Sequence, residues 1–321
     1  MIQKSECSKL QQRMLEKKFR KLWNSGQLEK ALTPYWRYNL CRARMYLGDF
    51  SNYDGWEWRD EGGWSSDLYW KEFETPKWGG GYVPRLVVMG EQGLGDQIMW
   101  ASLLPECRVR VKEVIYECDP RLEKIVQRSL GVQTRPIRES GISEDCDAYI
   151  PAAELMRMFR RSWNHFPRKP FLKPDPERVK DFERFRGRVG ISWKGRQGSL
   201  PIMEDGCVSL QYNEKSERAE DPGIDLKDDI EGVFALCSVL DRVVSVPTSV
   251  IHIAGSIGKT VEVLEPEIPG EVDNQIRWEC PPGPSPFYPN VRSQSSNQAK
   301  RTSFRYLSTR KSQSTETSSS I

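Results

Sequence analysis

The 321-residue sequence is poor in the side chains on which metal and redox chemistry depend. It has two histidines, His165 and His252, and eight cysteines spaced singly as Cys7, Cys41, Cys107, Cys118, Cys146, Cys207, Cys237 and Cys280, with no Cys-x-x-Cys pair. That spacing argues against a zinc cage or a dithiol motif, so the cysteines are read as reduced thiols and no metal site is expected. No apolar run approaches the roughly 20 residues that cross a bilayer, and the start, MIQKSECSKLQQRMLEKKF, is too charged for a signal peptide. A soluble, cytoplasmic protein without a membrane span is the expectation. Lys and Arg number 48 against 45 Asp and Glu, a net charge of +3, which gives no electrostatic case for nucleic acid as a main partner.

The richest stretch is RLVVMGEQGLGDQIMWASL, Arg85 to Leu103. Arg85 to Met89 is the branched apolar run of a buried parallel strand. Gly90, Gly93 and Gly95 make a turn free of side chains, and Ile98, Met99, Ser102 and Leu103 then recur at helical spacing, with Asp96 at the mouth of the helix. Strand, glycine loop and helix outline an anion site, because free N–H groups and the positive helix end favour a phosphate. The spacing is neither GxGxxG nor a P-loop with its lysine. Spacing alone therefore leaves a second reading open, in which Asp96 only caps its helix and the glycines only turn the chain.

On either side the chain divides by composition. Residues 1–52 read as short antiparallel helices, with Leu10, Met14, Phe19, Leu22 and Trp23 on one face. Gly26 to Phe50 resembles the last unit of a tetratricopeptide array, and a single unit is read as a helical cap, since a solenoid surface needs about three. Residues 53–84 form a connector rich in tryptophan (Trp56, Trp58, Trp64, Trp70, Trp78), read as packed aromatics rather than a sugar-stacking platform. Residues 85–165 form a first Rossmann-like domain: strands Arg85–Met89, Glu113–Glu117 and Ala148–Pro151 alternate with helices. The four prolines of WNHFPRKPFLKPDP, Trp163 to Pro176, mark the domain boundary. Residues 166–290 repeat the pattern, with strands at Arg188–Trp193, Cys207–Gln211, Val243–Val246 and Thr260–Leu264 and helices at Val179–Phe185, Glu231–Leu240 and Ser249–Ser256. Residues 291–321, rich in Ser, Thr, Gln, Lys and Arg, are expected to be a disordered, solvated tail. The fold class is thus α/β, two Rossmann-like domains behind a helical extension, with ligands expected where loops leave the carboxyl ends of the strands.

The blocks GEQGLGDQI, VGISWKG, VSLQ, LDRVVSVPTSVIHIAGSIGKTVEVLEP and SPFYPNVR, preceded by YDGWEWR and PKWGG, stand in order along the chain. Together they resemble the bacterial glycosyltransferases that join tetratricopeptide repeats to a heptosyltransferase-like (GT-B) catalytic region, from about Gly26 to Arg292. The resemblance implies a transferase that moves a sugar from a nucleotide diphosphate-sugar to a hydroxyl acceptor (glycan, protein or other), with no cofactor and no metal. It makes Asp96 the general base and Gly93 and Gly95 the loop that lets acceptor and donor meet. Lys194 would neutralise the leaving diphosphate, Thr248, Ser249 and His252 would hold it, and Ser209 and Gln211 would line the nucleotide pocket.

Each of these has a plainer alternative: Lys194 as a solvated strand end, His252 as a satisfied histidine on an amphipathic helix. His165 carries no indicated role. Two departures from the pattern bear on activity. Pro247 stands where the family has Asp, which removes a carboxylate and a backbone N–H beside the donor. Only GRQGSLPIMEDGC joins Lys194 to Val208, where the family has room for a helix, so a trimmed or irregular crossover is expected there. These departures motivate an alternative, a catalytically inactive GT-B-like binding or scaffolding protein.

Overall fold

The computed structural model describes residues 75–91, 93–137, 145–195, 198–199, 205–265, 279–280 and 283–295. The helical extension, the tryptophans before Trp78 and the chain beyond Ser295 lie outside the described residues. In chain order the strands are β1 (Val83–Met89), β2 (Val111–Cys118), β3 (Gln133–Pro136), β4 (Ala148–Pro151), β5 (Val189–Ser192), β6 (Lys194–Gly195), β7 (Gly198–Ser199), β8 (Cys207–Ser209), β9 (Ala219–Glu220), β10 (Arg242–Ser245), β11 (Thr260–Glu265), β12 (Glu279–Cys280), β13 (Gly283–Pro284) and β14 (Val291–Ser295). The α-helices are α1 (Leu94–Ala101), α2 (Leu104–Cys107), α3 (Glu123–Leu130), α4 (Leu155–Phe159), α5 (Pro176–Lys180), α6 (Ile230–Val239) and α7 (Ser249–Ser256).

Two parallel sheets result, a four-stranded one in the order β3-β2-β1-β4 and a six-stranded one in the order β14-β11-β10-β5-β8-β9. β1 is central in the first because its LVVM run is buried on both faces, with Leu86 beside Val114 on one flank and Ala148 on the other. The structure is mixed α/β, as the alternating pattern predicts. β3 and β9 escape the sequence reading because they are short and half-exposed, carrying little apolar signal.

Three local features bear on these expectations, and only the first departs from them. Val291–Ser295, placed by composition in the disordered tail, forms edge strand β14 parallel to β11, anchored by the fully buried Val291. The parallel step from β5 to β8 includes the small hairpin β6–β7, and no helix lies among its described residues. Trp78, the last of the tryptophan cluster, is buried beyond β4, where its backbone N–H donates to the Tyr149 carbonyl at 2.7 Å and its indole N–H to the Gly81 carbonyl at 2.8 Å.

The main core runs through both halves without a break, from Leu86, Val88 and Ile98 in the first to Ile251, Val261 and Val263 in the second. The sequence SPFYP supplies its wedge. Phe287 packs edge-on against Trp100 of α1 (5.9 Å between centroids) and against Phe166 of the proline-rich linker (5.2 Å), while Tyr288 meets His252 of α7. Such aromatic pairs contribute beyond their buried area. Cys107 and Cys237 sit within this core, where burial pushes each thiol up to about 12, so both are inert as nucleophiles. Among the described residues no helix is long and apolar enough to cross a membrane.

Candidate functional site

β1 and β10 each deliver a loop and a helix from their carboxyl ends, and the two helices meet. Gly95 is the contact: a Cβ placed on it would overlap the His252 imidazole, 2.9 Å from Nε2. Gly95 therefore belongs to the first turn of α1 rather than to the preceding loop, and its missing side chain lets α1 and α7 approach. The N-cap is Gly93, in extended conformation, so Asp96 is the third helical residue and does not occupy the cap position. An acid in the first turn is still favoured by the helix dipole. Asp96 is half-buried, and its Oδ2 lies 3.6 Å from where a Cβ on exposed Gly93 would be.

Beneath Asp96 the packing is polar and closed. The Tyr116 hydroxyl donates to the Gln97 carbonyl at 2.8 Å, and burial first, then Cys118, Glu91 and Asp96 nearby, hold that phenol protonated well above its ordinary range. Glu91, 1% exposed at the end of β1, accepts from the Ala153 backbone N–H at 2.7 Å. The Gln97 side chain accepts the Asp119 backbone N–H at 2.7 Å. These hydrogen-bonded groups lie near Asp96, whose charge acts on the Tyr116 phenol.

The second half contributes a separate cluster at the ends of β5, β8 and β10. Lys194 is exposed just past β5, and its ammonium pairs with Glu214 at 2.5 Å. Gln211 is buried and braces that turn: its Oε1 accepts the backbone N–H groups of Trp193 (3.1 Å) and Lys194 (2.9 Å), and its Nε2 donates to the Lys194 carbonyl (3.1 Å). Ser209, also buried, accepts the Gln211 backbone N–H at 3.2 Å. The polar atoms of Ser209 and Gln211 thus face into the turn.

Gly195 brings this cluster against the β10–α7 loop, since a Cβ there would lie 3.0 Å from the Pro247 carbonyl and 3.3 Å from Thr248 Cγ2. Thr248 is the N-cap of α7, yet its hydroxyl turns to Ser245 Oγ at 3.1 Å and makes no bond to the first-turn N–H groups. Ser249 follows, half-exposed, as the first helical residue. His252, 4% exposed one turn on, has Nδ1 2.9 Å from the Tyr288 hydroxyl.

The residues singled out in the sequence therefore run as a series of neighbours: Gly93, Asp96 and Gly95, then His252 across the contact, Ser249 and Thr248 at the start of its helix, and, through Gly195, the cluster of Lys194, Gln211 and Ser209. His165 stands apart, in a one-turn helix after Ser162, where its Nδ1 accepts the Ser162 backbone N–H at 3.1 Å. Sequence reasoning misses Glu214, Tyr288, Glu91 and Gln97. Tyr288 lies within the SPFYPNVR block, whereas Glu214 sits in the polar run YNEKSERAED, which carries no periodicity. Among the described residues no group of three or more His, Cys, Asp or Glu is arranged to hold a metal ion.

No family model matches the chain. Protein FlbA of Caulobacter vibrioides is 26% identical over 232 aligned residues, covering 56% of this chain and 39% of that protein, so the chain spans well under two thirds of its relative's length. Among solved structures, the glycosyl transferase family 9 protein from Veillonella parvula overlays with a TM-score of 0.42 at 9% identity, covering 66% of this chain and 86% of that one. BdcA (YjgI) from E. coli overlays with a TM-score of 0.13 at 10% identity, covering 59% and 86%. Neither overlay is close enough to carry a functional assignment.

Proposed function

We propose that the protein is a glycosyltransferase that moves a sugar from a nucleotide diphosphate-sugar to a hydroxyl acceptor without a metal. The observation that carries this reading is the contact between Gly95 and His252, which sets the carboxyl-end loops of two parallel sheets face to face. Ligands of open α/β sheets bind at such ends. In the proposed reaction Asp96 takes the proton from the acceptor hydroxyl as its oxygen attacks the anomeric carbon and the bond to the diphosphate breaks. Charge developing on the leaving diphosphate is met by the Lys194 ammonium, by the amino end of α7 at Thr248 and Ser249, and by His252. Ser209 and Gln211 act from below, by fixing the turn that carries Lys194.

Incubation with a panel of nucleotide sugars and candidate acceptors, following nucleotide release with and without a chelator, tests the reading. Release that survives chelation supports it, and strict dependence on a divalent metal contradicts the mechanism.

Pro247 favours a second reading, a binding module that retains the fold without the reaction, because it leaves no carboxylate and no backbone N–H at that point of the β10–α7 loop. Calorimetry separates the two. Nucleoside diphosphate binding that weakens in Lys194→Ala speaks for the enzyme, and no binding by the intact protein speaks for the module.

A further inference from the structure

Lys194 is already engaged by an anion. One Glu214 oxygen sits 2.5 Å from its ammonium, and the other accepts the indole N–H of Trp193 at 3.1 Å. These bonds, the one to Lys194 first, hold the Glu214 carboxyl below the usual carboxylate range, so it is ionised at neutral pH. The pair is about half-exposed on both sides, at 48% and 41%. Exposed pairs of this kind are weak and exchange readily, whereas a diphosphate brings more charge and more acceptor oxygens to the same ammonium. The backbone under Lys194 is fixed by Gln211, so what can change is the partner of its side chain.

We propose that Glu214 is an internal counter-anion that holds Lys194 extended over the turn and yields it to the diphosphate of the donor. This rests on the reading of Lys194 as the diphosphate ligand and adds a residue that tunes donor affinity. In the empty site Glu214 spares Lys194 from searching rotamers in water. In the occupied site it keeps its bond to Trp193, so the carboxylate is not stranded, but its charge stays close to the bound diphosphate and opposes it. Glu214 is therefore a positioning residue whose charge lowers affinity, trading tightness for release of the nucleotide product.

The sign of that effect is the test. Inorganic pyrophosphate, the part common to all such donors, is titrated calorimetrically into the full chain as wild type, Glu214→Gln, Glu214→Ala and Lys194→Ala, with circular dichroism to confirm folding. Glu214→Gln keeps an acceptor for Trp193 and removes the charge, so binding should tighten about two- to five-fold, the range an exposed pair supports, and the gain should shrink as salt is raised. Glu214→Ala serves as a second variant should the first fail to fold, and it too should tighten binding. Unchanged or weaker binding in a folded Glu214 variant, with binding still lost in Lys194→Ala, overturns the role of Glu214 and leaves that of Lys194 standing. Pyrophosphate binding that ignores Lys194→Ala, or is absent from the wild type, overturns the reading of Lys194 and this inference with it.

Discussion

The two loop clusters that meet at Gly95 and His252 are built on opposite physical plans. On the first-half side Asp96 lies near buried Glu91, Gln97 and Tyr116, each held by a backbone group. On the second-half side Lys194 reaches into solvent, and its ammonium is held by a surface carboxylate. A general base must sit within hydrogen-bond reach of the hydroxyl whose proton it takes, about 2.6–3.2 Å between heavy atoms, which favours a rigid mount. A counter-charge for a flexible diphosphate tolerates movement and benefits from it, since product must leave. Under the proposed function, the difference predicts that substitutions in the first cluster act on turnover, while substitutions in the second act on affinity.

The strongest way to break that contrast is Asp96→Asn. Loss of a positioned general base should lower turnover by about 10²–10⁴-fold. Because Asp96 is not the cap of α1, Asn at this position gives up the favourable first-turn charge, about 0.3–1 kcal/mol, and should leave the fold intact and nucleotide binding nearly unchanged. Stopped or continuous assays of nucleotide release, beside calorimetric titration of the same variant, check both halves of the statement. Turnover retained in a well-folded Asp96→Asn protein removes Asp96 as the base.

Next in size is a pair of glycine substitutions. Gly95→Ala drives a methyl group into the His252 ring, and overpacking of this kind costs about 1–3 kcal/mol. Gly93→Ala meets only Asp96 Oδ2 at 3.6 Å, an ordinary contact on exposed, extended backbone, and should cost a few tenths of that. Urea unfolding of the two variants ranks them. Equal costs would mean that α1 and α7 do not press on each other in solution.

The same two regions differ in how much of them the amino-acid sequence makes legible. Strand β1 is plain in it: Leu86 to Met89 is branched, apolar and bounded by glycine, and burial on both faces leaves that signature in any parallel sheet. Helix α7 is legible to the residue, because Val246-Pro247-Thr248 punctuates its start and Gly258 its end. What no pattern announces is the closeness of α1 and α7. Gly95 reads as one more loop glycine until His252, from the far half of the chain, is placed on top of it. Glu214 is invisible for a similar reason, since one acid among several in a polar loop gains meaning only from the lysine it touches. Strand β14 is hidden by composition: its serines and glutamine look like tail, and pairing with β11 outweighs propensity.

A smaller effect separates His252 from both clusters. Tyr288→Phe keeps the ring that packs against α7 and removes the hydroxyl 2.9 Å from Nδ1. Losing one such bond costs about 1 kcal/mol of stability. If His252 touches the diphosphate through a ring orientation that Tyr288 sets, nucleoside diphosphate affinity should fall along with it, by several-fold. If only stability drops and affinity holds, His252 is a core histidine that happens to lie at the interface.

The smallest expected effect concerns Arg121, which ties the two halves by a hydrogen bond and an ion pair. Arg121 is gripped by Asp119 through two bonds, at 2.8 and 2.6 Å, and its remaining nitrogen donates to the Lys227 carbonyl of the second half at 2.7 Å. The Arg121 guanidinium holds the Asp119 carboxyl below its ordinary value of 3.8. With the folded value depressed, the unfolded chain binds a proton at Asp119 more readily than the folded one does. The stability this pair contributes is therefore complete above pH 3.8 and is lost as pH falls through the folded value. Glu183, Asp221, Glu214 and Asp225 are depressed as well and titrate in the same acid range, so the wild-type curve alone does not isolate Asp119. Asp119→Asn does, since Asn still accepts the Arg121 backbone N–H as a cap while losing the charge. Its stability should lie below wild type by about 0.2–1 kcal/mol near neutral pH, the range of partly exposed ion pairs. The two curves should then converge under acid, as wild-type Asp119 takes up its proton. Chemical denaturation in steps from about pH 6 to about pH 2 measures that difference. A gap that stays constant to the acid end would show that Asp119 acts through shape and not through its charge on Arg121.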